Sequence, residues 1–131
     1  PYNRTREALD HLARTEAWDP CHGVKLRYVN PETGGHAMKT IAAFMQLLPK
    51  NFKSDPYRST DASVYCVVEG NGRSSINGVA IEWGPRDIFV VPSWASISHI
   101  TKEEAVLFSF SDRSMQQALG LWREDRKPDS N

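Results

Sequence analysis

Two stretches of the chain carry apolar residues at helical spacing, and the sequence between them breaks into short β-rich runs. From Asn3 to Trp18, Ala8, Leu9, Leu12 and Ala13 share one face, with Asn3 or Thr5 as N-cap and Asp19-Pro20 as the stop. Near the other end Ser111 offers a cap. Met115, Ala118, Leu119 and Trp122 then recur at i, i+3, i+4 and i+7, which predicts a docking helix over 111–125. The polar segment from Arg123 to Asn131 is expected to fray.

Between these ends the pattern is that of strands. LRYV at 26–29 is followed by a turn at Asn30-Pro31 and Gly34-Gly35, and then by TIAAFMQLL at 40–48, whose continuous apolarity fits either type and is read as a strand from its surroundings. VYCVVE, RSSI, VAIEW, DIFVV, SISHI and AVLFSF then follow from Val64 to Phe110, separated by Gly- and Pro-bearing turns. Asn77-Gly78 is the strongest hairpin signal, because a type I′ turn needs positive φ at both central residues; it pairs 73–76 with 79–83. The fold class is all-β, a closed barrel over 25–110 with an N-terminal helix in 1–20 and a C-terminal helix in 111–125.

Composition narrows the function. The 131 residues suit one domain. Sixteen basic and sixteen acidic side chains cancel, so no basic face is announced for nucleic acid or anionic lipid. No apolar run reaches the roughly 18 residues of a membrane span and the opening lacks a signal peptide. The two cysteines, Cys21 and Cys66, are too few and too far apart for a disulfide framework or a C-x-x-C motif, and read as free thiols in a reducing cytoplasm. Cys66 alternates with Val64 and Val68 and should face away from the barrel interior. The chain opens on Pro1 rather than Met, which points to a piece of a longer protein.

A small barrel with these turns fits a cupin, the double-stranded β-helix or jelly roll. Metal-binding cupins share G-x5-H-x-H-x3-E-x6-G and, later, a Gly followed by P-x-G-x2-H. The first frame lies without gaps on Asn51 to Gly70, and the second on Gly84, Pro92 and Ile97. Tyr57, Ser59, Ser63 and Ile97 then occupy the four ligand positions. A mostly protonated phenol, two hydroxyls and an isoleucine cannot hold iron, which needs about three strong neutral or anionic ligands on one face. His11, His22 and His36 are expected on the N-terminal helix or loops, away from the barrel interior.

The segments KLRYVNPETGG (25–35), TIAAFMQLLPKNF (40–52), YRSTDASVYCVVEGNGRSSING (57–78), EWGPRDIFVVPSW (82–94) and AVLFSFSDRSMQQALGLWRED (105–125) resemble the C-terminal half of gentisate 1,2-dioxygenase. They are also similar to salicylate and 1-hydroxy-2-naphthoate dioxygenases. The resemblance implies a bicupin chain, assembled as a homotetramer, that uses Fe(II) and O2 to cleave an aromatic hydroxy acid. It places the iron in the missing N-terminal cupin domain and leaves this chain without metal or catalytic residue. Its partners would be that N-terminal domain and other subunits, with no nucleic acid and no membrane.

Two readings of the interior follow. By strand parity Tyr57, Ser59, Ser63, Tyr65 and His99 share the inside with Ile97. They form either a vestigial pocket that still binds a small aromatic acid, or a set of buried polar groups satisfying one another in a structural domain. Arg58, Asp61, Arg86 and Asp87 could anchor a carboxylate or form a solvated rim. Trp83, Trp94 and Trp122 suit core or interface packing, or the stacking of an aromatic substrate.

Overall fold

The leading apolar stripe folds as helix α1 (Tyr2–Thr15). The computed structural model describes residues 2–15, 19–28 and 41–126. The expected turn at 30–35, His36, Trp18 and the tail beyond 126 lie outside the described residues.

Among the described residues ten strands follow: β1 (Val24–Arg27), β2 (Ala42–Leu48), β3 (Tyr57–Ser59), β4 (Ser63–Glu69), β5 (Gly72–Ile76), β6 (Val79–Trp83), β7 (Ile88–Val91), β8 (Ile97–Ile100), β9 (Ala105–Ser111) and β10 (Glu124–Arg126), with helix α2 (Arg113–Ala118) before the last. They form two five-stranded sheets, β1-β2-β9-β4-β7 and β10-β3-β8-β5-β6. All pairings are antiparallel. Beyond β2 the chain alternates between the sheets except at the β5–β6 hairpin, which wraps it into a flattened barrel. That hairpin turns at Asn77 and Gly78, with φ of 50° and 83°, as type I′ geometry requires.

Two apolar clusters hold the layers. Inward residues of both sheets, among them Leu48, Tyr65, Val67, Trp83, Ile97 and Leu107, fill the barrel. On the outer face of the first sheet, Leu9 of α1 packs with Val24, Met45, Leu47 and Val106. Strand β2 lies between the clusters and is buried on both faces, which is why its sequence shows no alternation. Among the described residues no helix is long and apolar enough to cross a membrane.

The C-terminal helix differs from expectation. Ser111 is the last residue of β9 and α2 ends at Ala118. Gly120 then takes a φ of 73° and ends the helical path, as glycine after a helix commonly does. Met115 and Leu119 remain 40% and 64% exposed, so the stripe does not dock. Nor does the start of the tail fray: 124–126 pairs with β3, pinned where Arg58 meets Asp125 at 3.0 Å and Arg126 meets Asp19 at 2.9 Å.

Candidate functional site

The cupin motif frame survives in the backbone even where its residues are gone. Asn51 and Trp94 stand at the first glycine of one motif and at the P-x-G glycine of the other. Both keep left-handed backbone, with φ of 56° and 64°, a region asparagine tolerates and tryptophan rarely enters. The Trp94 amide donates to the Ser59 carbonyl at 2.7 Å, which ties the two motifs together.

The four vacated positions, Tyr57, Ser59, Ser63 and Ile97, come together around one cavity between the sheets, and Tyr65 joins them. Its free space is ≈ 20 Å³ for a water-sized occupant, room for about one water. Sequence reasoning missed its charged members, Lys25 and Arg113, and it misplaced Asp61. Lys25 reaches inward from β1, its Nζ 4.4 Å from the Phe44 ring centroid. Arg113 lies over the rings of Phe44 and Trp122, and its Nε is 3.4 Å from Asp61 Oδ2. Strand parity alone could have put Lys25 inside, since Val24 and Leu26 face α1.

Asp61 is no solvated rim residue; it is 2% exposed. Burial alone would raise its pKa, but the charge of Arg113 and hydrogen bonds from Ser59, Ser111 and Trp122 outweigh that and hold it below its ordinary value. Tyr57 donates to Glu124 at 2.6 Å; burial and this bond push its phenol pKa upward. Tyr65 rises to about 12, mainly through burial. Lys25 falls to about 7, through burial and then the charge of Arg113. His22 lies on a loop but not away from the interior: its ring packs edge-on against Tyr57, centroids 4.4 Å apart.

His99 faces inward as parity predicts, 2% exposed, but it does not line the cavity. Its Nδ1 meets Ser74 Oγ at 2.7 Å, and Trp83 Nε1 donates to the same oxygen at 2.8 Å. Tyr65 and His99 touch edge to face, centroids 5.9 Å apart. Trp83 is core, whereas Trp94 lies under the Arg58 guanidinium at 4.4 Å and is 39% exposed. Arg86 and Asp87 are exposed, as a rim would be. Cys66 is half-buried on the outward face and both thiols are free.

This donor set does not fit iron. Among the described residues no three His, Cys, Asp or Glu side chains converge, and the motif's ligand cavity is lined by three cations, Lys25, Arg58 and Arg113, and one carboxylate, Asp61, that already faces Arg113. Cationic side chains in that position oppose a divalent cation.

No family model matches the chain. Over 126 residues it is 52% identical to gentisate 1,2 dioxygenase 1 of Aquipseudomonas alcaligenes, covering 96% of this chain and 36% of that protein. It is 36% identical to 5-aminosalicylate 1,2-dioxygenase of Comamonas sp, covering 95% of this chain and 34% of that one. The chain is a fragment of the gentisate 1,2-dioxygenase family. It spans about a third of the length of these curated relatives. The chain also superposes on salicylate 1,2-dioxygenase from Pseudoaminobacter salicylatoxidans with a TM-score of 0.90, at 30% identity, over 98% of this chain and 37% of that one. The cupin domain of Schizosaccharomyces pombe Cnp3, at a TM-score of 0.58 and 16% identity over 74% of this chain and 70% of that one, shares the fold alone. The fragment is a cupin.

Proposed function

We propose that this chain is the C-terminal, metal-free cupin domain of a gentisate 1,2-dioxygenase-like enzyme, and that its own role is structural. The observation that carries the reading is the cavity at the motif's ligand positions, which has hydroxyls and an isoleucine at those positions and one carboxylate, Asp61, held by Arg113, where a metal cupin holds histidines and a carboxylate. Iron and the ring-cleaving chemistry then belong to another cupin domain of the same protein. That protein acts on an aromatic hydroxy acid with O2, as the names of its relatives suggest.

An assembly role draws support from the outer face of the first sheet. Val64 lies between Val90 and Phe110, and Cys66 between Ile88 and Phe108. Ile88, Val90 and Phe110 are 67%, 57% and 40% exposed. A continuous apolar face of this kind suits a sister domain or another subunit. The alternative, an aromatic-acid binding module, has the right charges, but the cavity offers less room than one aromatic ring.

The test is Tyr57→Phe and His99→Gln in the full-length protein, with iron measured by plasma mass spectrometry in that protein and in this chain. The structural reading expects lowered melting temperature with turnover per folded enzyme preserved, and no retained iron in this chain. Abolished ring cleavage at an unchanged melting temperature, or one iron per chain here, would overturn it.

A further inference from the structure

Three residues that line the cavity, Tyr57, Arg58 and Asp61, are each tied to one short stretch of chain near the C-terminal end. Trp122 donates from Nε1 to Asp61 Oδ1 at 3.0 Å, Tyr57 donates to Glu124 at 2.6 Å, and Arg58 pairs with Asp125 at 3.0 Å. Glu124 and Arg126 stand opposite Ser59 and Tyr57 in the β10–β3 pair, so their side chains share the inner face with those two lining residues. Arg126 then reaches across to Asp19 at 2.9 Å, just ahead of β1. Strand β10 is the edge of the second sheet and β1 the edge of the first, so this stretch closes the barrel on the side from which Lys25 enters the cavity.

The closure is held by polar ties and by almost no apolar burial. Strand β10 is Glu-Asp-Arg, Leu121 before it is 59% exposed, and Trp122 is the one apolar side chain of 120–126 that is partly buried. The ion pairs to Arg58 and Asp19 have partly exposed members at both ends, and pairs of that kind hold weakly and are screened by salt. Gly120 supplies a pivot: its φ is 73° and nothing lies within 4 Å of where its Cβ would be. The rest of the barrel is held by the apolar cluster between the sheets. Segments with few apolar contacts and exposed backbone bonds open at lower cost than the core they cover.

We propose that residues 120–126 form a lid, which swings on Gly120 away from β3 and Asp19 while the barrel stays folded and so opens the cavity between the sheets. Opening withdraws the Trp122 indole from Asp61 and from the face of Arg113, and it releases the Tyr57 phenol and the Arg58 guanidinium to solvent. The closed space, which has room for about one water, is then continuous with solvent along the β1 side. The lid would exist whether the role of the domain is structural or not.

The test is amide hydrogen exchange followed by NMR in the 131-residue chain. The Thr60 amide donates to the Arg123 carbonyl and the Arg123 amide to Thr60 Oγ1, both at 2.9 Å, so these two report the lid. Amides of the β2–β9 pair report the barrel. Raising sodium chloride from about 0.02 M to about 0.5 M should speed lid exchange about fivefold and leave barrel exchange unchanged. Asp125→Asn should speed lid exchange at low salt about threefold and flatten its salt response. Dilute urea should speed barrel exchange more than lid exchange, because opening the lid exposes little surface. Nitration of Tyr57 by tetranitromethane, located by mass spectrometry, should rise with salt in step with lid exchange. Lid amides that exchange at the rate and with the urea dependence of the barrel, or that ignore salt, would overturn the lid. Tyr57 nitration that stays constant while lid exchange rises would overturn the opening of the cavity.

Discussion

Ser74 Oγ lies 2.7 Å from His99 Nδ1 in the barrel interior. Trp83 Nε1 donates to the same hydroxyl oxygen, and the Ser74–Nδ1 bond carries its proton on the hydroxyl or on the ring according to the tautomer. The imidazole is neutral in the fold. Burial, and then the charge of Lys25, lowers its pKa to about 3.

An unfolded histidine titrates near about 6.5, so between that value and about 3 the unfolded chain binds the extra proton. Stability is fully present above about 6.5 and is lost as the pH falls toward the folded value. Urea titrations from pH 7 to 4.5 should show this loss, and His99→Gln should reduce the slope. A residual slope is expected from His22, whose pKa is also held low. Ser74→Ala, which leaves two buried polar groups unpaired, should cost about 1–3 kcal/mol at pH 7. An unchanged pH slope in His99→Gln would mean that the ring takes up its proton as readily in the fold as in the unfolded chain.

Removing Arg113 strands the buried Asp61 carboxylate. Arg113→Met should destabilise by about 3–5 kcal/mol, and the double variant Asp61→Asn, Arg113→Met by less than the sum of the two single changes. Because the Asp61 pKa is lowered in the fold, its contribution is present above about 4 and lost as the pH falls below that. Strict additivity in denaturant melts would contradict the pairing.

Trp94 combines a left-handed φ of 64° with a guanidinium stacked on its ring. Trp94→Ala loses the stacking and keeps the strain, whereas Trp94→Gly loses both. The glycine variant should be the more stable of the two by about 1 kcal/mol, read from urea midpoints. Equal midpoints would show that the backbone relaxes once the indole is gone.

Gly72 tests the close approach of strand to core. A Cβ there would lie 2.8 Å from the Trp83 ring and 2.9 Å from the Ile100 carbonyl oxygen. Gly72→Ala should cost about 1–3 kcal/mol and shift Trp83 fluorescence. Native stability and emission would mean that β5 can move outward freely.

The strands were legible wherever one face met the core and the other met solvent or α1, and the hairpin at Asn77-Gly78 was legible from turn chemistry alone. Strand β3 was not, because three residues carry no period. Nor was β10, whose Glu-Asp-Arg sequence has no strand propensity and is held by side-chain ties to Arg58, Tyr57 and Asp19. The stripe through Leu119 imitated a docking face, although Gly120 stood inside it. At the site, motif spacing singled out Tyr57, Ser59, Ser63 and Ile97, and these four line one cavity. Lys25 and Arg113 belong to no motif and enter it from elements distant in sequence.

The sheet order also dictates how this chain must find its fold. Ala42 pairs with Ser111, and Ser59 with Glu124, so each sheet joins an early strand to one of the last. Closing such long loops slows folding more than it weakens the folded state. The β5–β6 hairpin, closed by two residues, is available at once, but on the ribosome the first sheet is incomplete until β9 has emerged and the second until residues 124–126 have. Until β9 is made, the apolar strands of the first sheet need protection from one another.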